Sequence, residues 1–457
     1  MSAVVVLRIH VVREGGHAYY VDDLVPGRAE GTLVAGEEAG CWWGHGAGEL
    51  GQRDRVDPQP FAEVLAGRHP VSNAPIRARR GGRSVSGYDL TFGAPKSVSL
   101  LHLLGPREIA EQSGAAHRVA VDEALGYLER TAVGVRRSKS GEVAHLPATG
   151  MVAGTFLHRT SRALDPHLHT HVVAANVAQG VDGLWSAVDS RRVFAHAQAA
   201  QALYHARLRL EIGIRLGATF EVAPSGLGDV IGVDRSLRRL FSQRAAAMDE
   251  YRFRRAVVPG VGRASRGAFH ATRPDKDRTR TVDSLTAEWR ERAAMFGIDL
   301  GHLIAVVGPP RAPGGRTVSV DRERVGTTFG GLARHGRSVA RPDVVAAVAV
   351  ASTEGSSADE IESMADRLIA LAGPSAGRAR RLDHAARSRE GVAGPEPRWW
   401  AGALVRALHD EWSVAVESRA DRVVVGSATS GADRTPAGRD RRREPPHRAG
   451  ALDLGHP

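Results

Sequence analysis

Hydrophobic and polar positions follow two periods through the first 300 or so residues of this chain, one near two residues and one near three and a half. "AVVVLRIHVV" is a β-branched run with strand composition, and "GYDLTFGAPKSVSLLHLL" reads as a strand, a Pro-Lys turn and the apolar start of a helix. "REIAEQSGAAHRVAVDEALGYLERTA" carries apolar residues at helical spacing, which predicts a helix packed on the surface of a core. "GMVAGTFLHRT" and "HLHTHVVAANVA" are strand-like and flank the turn-rich "SRALDP". "VFAHAQAAQALYHARLRLEIGIRLG" predicts a long helix that stops at Gly217.

The pattern weakens beyond residue 300. "SSADEIESMADRLIALAGP" is a helix with a capping box at Ser357 and Glu360 and a stop at Gly373-Pro374. An island at 398–425, beginning "RWWAGALVRALHDEW", has the composition of a short helix and strand, and "SGADRTPAGRDRRREPPHRAG" is basic and predicts disorder. These signals divide the chain into a mixed domain at 1–300, a helical region at 301–373 and an Arg-rich, largely disordered tail at 374–457. The first domain mixes strands and helices.

Composition narrows the function. The net charge is +11 with a pI near 10.5, and the cations are almost all arginine, which favours a polyanionic partner bound by bidentate phosphate contacts. A single cysteine, Cys41, excludes a disulfide framework and a cysteine-rich zinc site. No apolar run approaches the roughly 20 residues that span a bilayer, and "MSAVVVLRIHVV" lacks the basic start of a secretory signal. A cytoplasmic protein without membrane insertion is expected. "GPPRAPGGRT" lacks the lysine of a P-loop, so ATP is not an expected cofactor.

The chemistry concentrates in "DPHLHTHVVAANV". On a strand, His167, His169 and His171 share one face. If "SRALDP" is a hairpin turn, His158 lies opposite His169, because the two are symmetric about Ala163–Leu164. Four imidazoles are then available to an open metal site that commonly takes three protein ligands. A lone surface histidine needs no such explanation, but a cluster of this density does. Three neutral imidazoles leave the charge of a divalent ion uncompensated, which suits polarisation of a phosphate.

"FLHRTSRALDPHLHTHVVAANV" resembles the signature of MobF-class conjugative relaxases, the TrwC/TraI-like members of the HUH nuclease superfamily. The resemblance implies an α+β fold with a central antiparallel sheet flanked by helices, with His158, His169 and His171 as metal ligands and His167 outside the set. It also implies that Tyr19, first of the Tyr19-Tyr20 pair in "GGHAYYVDD", attacks the scissile phosphate. Asp89 matches a carboxylate that supports a metal histidine, and Lys96 in "GAPKSVS" matches a lysine able to meet a phosphate. The likeness continues to "LTAEWRERAAMFGIDL", past a basic stretch in which Arg273 and Lys276 are candidate DNA contacts. The implied cofactor is Mg2+ or Mn2+, although three imidazoles also suit Zn, Ni or Co. The implied partners are single-stranded and hairpin origin-of-transfer DNA, with other relaxosome and coupling proteins.

Two departures from the family pattern matter. Gly31-Thr32 in "VPGRAEGTLV" stand where a second tyrosine pair is expected, so a second strand transfer falls to Tyr20 if it occurs. Residues 301–373 resemble the start of the connection to a helicase, and no helicase follows in this sequence. The expected function is a relaxase that forms a 5′-phosphotyrosine intermediate. The alternatives are a catalytically impaired DNA-binding remnant of a truncated relaxase-helicase and a metal phosphodiesterase that uses water.

Overall fold

The computed structural model describes residues 7–13, 38–78, 84–139, 142–161, 163–254, 280–311, 320–334, 338–372 and 398–400. A five-stranded antiparallel sheet organises the first domain, as the α+β reading requires. Its strands are β1 (Arg8–Arg13), β2 (Cys41–Trp43), β3 (Val85–Gly93), β6 (Ala153–Thr160) and β7 (Pro166–Ala175), in the order β1-β3-β7-β6-β2. Between β3 and β6 the chain forms the two-stranded ribbon β4 (Gly134–Lys139) and β5 (Glu142–Pro147). Strand β7 is the centre of the sheet.

One face of the sheet is dry. Leu90, Phe92, Leu168, Thr170 and Val172 alternate onto it and are buried. Of the helices α1 (His45–Glu49), α2 (Pro58–Leu65), α3 (Lys96–Leu104), α4 (Arg107–Ala132) and α5 (Ser190–Leu216), the last two meet this face. The imidazole of His117 on α4 bonds the Thr170 hydroxyl through Nε2 and the Tyr204 hydroxyl of α5 through Nδ1, each at 2.8 Å. Helix α4 therefore lies deeper than a surface helix: Ala116, Ala120, Ala124, Leu125 and Leu128 are all fully covered. Helix α5 ends where expected, with Gly217 left-handed at φ +61°.

The opposite face has an apolar end and a histidine end. Phe61, Val64 and Leu65 of α2 pack with Trp42, Phe156, Val173 and Ala175 over one end of it. Phe61 meets Trp42 and Phe156 edge-on, at 5.6 and 5.5 Å between ring centres. The other end of that face carries the histidines.

Further along, α6 (Arg235–Leu240), α7 (Gln243–Arg254), α8 (Val282–Met295) and α9 (His302–Ala305) lead to α10 (Arg322–Arg334), α11 (Arg341–Ala351) and α12 (Ala358–Ala372). Ser357 and Glu360 form the expected capping box: each side chain accepts from the other's backbone N–H. Arg209 of α5 is buried and donates to the carbonyls of Ala349, Ser352 and Gly226, so its cation sits at the negative end of α11. Glu123 of α4 accepts from the Ala358 N–H, and Arg130 pairs with Glu362 at 3.0 Å. Among the described residues, no helix is long and apolar enough to cross a membrane. Of the expected tail only Arg398–Trp400 is described, a short strand antiparallel to Ser338–Ala340.

Candidate metal centre

The β6–β7 hairpin brings the histidines together. Its turn is held by the Ser161 hydroxyl, which accepts from the N–H groups of Ala163 and Asp165, both at 3.2 Å, and by Leu164 in a left-handed conformation at φ +56°. The buried Asp165 carboxylate accepts from the backbone and side chain of Gln243 on α7, and Trp289 of α8 donates to the Leu164 carbonyl at 2.8 Å. A turn clamped on both sides fixes the register, and His158 pairs with His169 as the symmetric hairpin requires.

The rings of His158, His169 and His171 form a triangle with centre-to-centre distances of 5.2, 5.0 and 5.2 Å. One ring nitrogen from each lies within 4.8 Å of the others, a spacing that a single ion can bridge. His158 and His169 are buried and His171 is half-buried. Burial, with the charge of neighbouring His171 next in weight, lowers the His169 pKa to about 3, so the ring is neutral, the form that binds a metal.

Two of the rings have fixed tautomers. His171 donates from Nδ1 to Asp89 Oδ1 at 2.8 Å, and Asp89 is 3 % exposed. His169 donates from Nδ1 to the His167 carbonyl at 3.0 Å. Each bond leaves Nε2 with a lone pair, which is how outer groups orient metal-binding imidazoles. His167 stacks on His169 at 4.6 Å with 21° between the planes and lies over Gly93, where a Cβ would come within 3.3 Å of the His167 ring. Its carbonyl, a group invisible to any side-chain motif, is what serves His169.

Lys96 stands at the first turn of α3 and donates to the Pro166 carbonyl at 2.6 Å, holding the start of β7. Burial lowers its pKa to about 8 against the opposing pull of Asp165 and Asp229. Tyr19, Tyr20, Arg273 and Lys276 lie outside the described residues, as do Gly31 and Thr32.

A family model described as TrwC relaxase matches residues 12–296, well over half of the sequence. The chain belongs to the TrwC relaxase family. It is of the MobF-class, TrwC/TraI-like kind, as the motif "FLHRTSRALDPHLHTHVVAANV" indicates. "Multifunctional conjugation protein TraI" of Escherichia coli is 32 % identical over 308 residues, 64 % of this chain. Those residues span 16 % of the TraI length. Two solved structures of TrwC each cover 64 % of this chain and 99 % of their own. One holds a 27-mer DNA with the recognition hairpin and the cleavage site (30 % identity, TM-score 0.55), and the other is a metal-bound complex with oriT DNA (31 % identity, TM-score 0.56). The five-stranded antiparallel sheet with its flanking helices is the TrwC relaxase fold.

Proposed function

We propose that this chain is a metal-dependent DNA relaxase that nicks single-stranded origin-of-transfer DNA in the mobilisation of a conjugative plasmid or element. One observation carries the reading: in a TrwC-family chain, His158, His169 and His171 converge on one face of the sheet, and two of them have Nδ1 engaged. The TrwC complexes with oriT DNA support the choice of partner. The basic composition supports it independently.

His158, His169 and His171 would hold a divalent ion, with Mg2+ or Mn2+ first and Zn, Ni or Co chemically suited. When bound, it supplies polarisation of the scissile phosphate and charge for its non-bridging oxygens. The remaining work falls to the protein. Asp89 keeps the proton on His171 Nδ1 and the ring in place, and the His167 carbonyl does the same for His169. Tyr19 is the nucleophile. A phenol is mostly protonated at neutral pH, with a pKa near 10, so its proton must pass to a base during attack.

The phenolic oxygen bonds to phosphorus as the bond from phosphorus to the 3′ oxygen breaks, and that oxygen leaves as a 3′-hydroxyl. The product is a 5′-phosphotyrosine ester. One phosphodiester replaces another, so rejoining needs no ATP. Tyr19 follows Arg13, the end of β1, by six positions, a reach of up to about 20 Å. Tyr20 is the candidate for a second strand transfer. Arg273 and Lys276 are assigned to backbone phosphates. Lys96 keeps two further N–H donors beyond the one on Pro166, available to the DNA.

Incubation with Mn2+ and single-stranded oligonucleotides tiled across the DNA flanking the gene, followed by a denaturing gel, tests the reading. A protein–DNA band that disappears in Tyr19→Phe supports it. Free cleaved ends without a shifted band support a water-using phosphodiesterase, and binding without cleavage supports a silent remnant.

A further inference from the structure

Strand β1 has a role that the histidine motif does not reveal. It is the outer strand beside β3, with Arg8 opposite Thr91 and His10 opposite Asp89. Across β3 the register continues from Thr91 to His171 and from Asp89 to Val173. Directly opposed residues of antiparallel strands share a face. Arg8 therefore stands in one row with Thr91 and His171, and His10 in the next row with Asp89. Ile9, between them, is opposite Leu90 and turns toward the dry side.

Exposure follows the cover over this face. Val12 is opposite Gly87, where a Cβ would meet the Leu65 side chain of α2, and Val12 is buried. His10 and Arg8, one and two steps further along this face, are exposed. Charged residues on an edge strand often only discourage pairing with other chains. Here they stand on the working side of the sheet, and Asp89 is the one carboxylate in the rows that contain them and the three histidines.

We infer that Arg8 and His10 form a phosphate-holding edge of the relaxase site, seating the DNA backbone phosphate next to the scissile one. Strand spacing near 4.8 Å puts the Arg8 Cα about 10 Å from that of His171. An arginine side chain extended toward the histidines spans most of that distance. A planar fork on a phosphate also fixes the path of the strand, which places the scissile bond for in-line attack. The inference rests on the relaxase reading above.

The test uses the full chain and a fluorescein-labelled single-stranded 30-mer carrying the sequence cleaved in the adduct assay. Versions of it carry one methylphosphonate at each phosphate flanking the cleaved bond. In EDTA, Arg8→Ala is expected to weaken binding about tenfold and to make the log–log salt slope shallower by about 0.7, the value for one lost single-strand phosphate contact. Arg8→Lys keeps the slope, and His10→Ala weakens binding by a smaller factor. At one flanking position the neutral phosphate should weaken the wild type yet leave Arg8→Ala unchanged. Thermal unfolding of each variant confirms that binding is read on folded protein.

The inference is overturned if Arg8→Ala keeps the wild-type slope. It is also overturned if every methylphosphonate weakens Arg8→Ala as much as it weakens the wild type. Absence of any adduct with the wild type is a different failure, that of the relaxase reading itself.

Discussion

Substitution of Asp89 separates charge from geometry at the candidate metal centre. Its Oδ1 lies 2.8 Å from His171 Nδ1 and is almost fully buried, so the bond is a charge-assisted one in a medium that screens poorly. Asp89→Asn keeps an acceptor oxygen within reach and removes the charge, whereas Asp89→Ala removes both. Loss of such an outer partner typically lowers metal affinity 10- to 100-fold, or about 1.4–2.8 kcal/mol. The alanine variant should approach the upper figure and the asparagine variant the lower. Thr91 Oγ1, at 3.5 Å from the same nitrogen, is too far to take over without movement. Calorimetric titration of the purified apo-proteins with Mn2+ measures the effect, and matched thermal melts exclude unfolding. If both variants bound Mn2+ within twofold of the wild type, Asp89 would not be orienting a ligand.

Four further outcomes are expected. Arg209→Met keeps the buried stem but strands the carbonyls of Gly226, Ala349 and Ser352, which should cost about 3 kcal/mol in urea unfolding with an unchanged slope. Gly355→Ala should cost at least about 2 kcal/mol, because φ is +88° and the new Cβ would lie 2.3 Å from the Leu210 backbone nitrogen; Gly48→Ala, with nothing within 4 Å in helix α1, should be neutral or mildly stabilising by the same assay. Burial, and to a smaller degree Arg209, lowers the His205 pKa to about 3 from an unfolded value near 6.5. Between those values the unfolded chain holds the extra proton. Stability is therefore fully present above about pH 6.5 and falls as the pH is lowered, by up to about 1.4 kcal/mol per unit, a slope that unfolding titrations should find reduced in His205→Gln.

The histidine hairpin was legible because its information is local: a symmetric turn, alternate residues and a short loop place His158 opposite His169 without knowledge of the rest of the chain. The stop at Gly217 and the capping box at Ser357 and Glu360 were legible for the same reason. What escaped depends on distant pairing. The cover of α2 over Phe156 and Val173 is preceded by the glycine-rich "GCWWGHGAGELGQ", which carries no clear period. The β4–β5 ribbon is mostly polar, so its alternation is weak. Arg8 and His10 gain their meaning from the register of β1 against β3, some eighty residues away. Sequence spacing placed His167 on the same face as His169 and His171, but only the geometry shows its carbonyl, rather than its ring, serving a neighbour. The depth of α4 was also misread, since alanines at its buried positions give little apolar signal while allowing α5 to approach closely.

Mass spectrometry of the covalent product tests the central claim most directly. After reaction with Mn2+ and origin DNA, nuclease trimming and proteolysis, the account predicts a peptide bearing a nucleotide through its 5′ phosphate on Tyr19, with a free 3′-hydroxyl on the released DNA. A nucleotide on another residue, or cleaved DNA with no modified peptide, would contradict it.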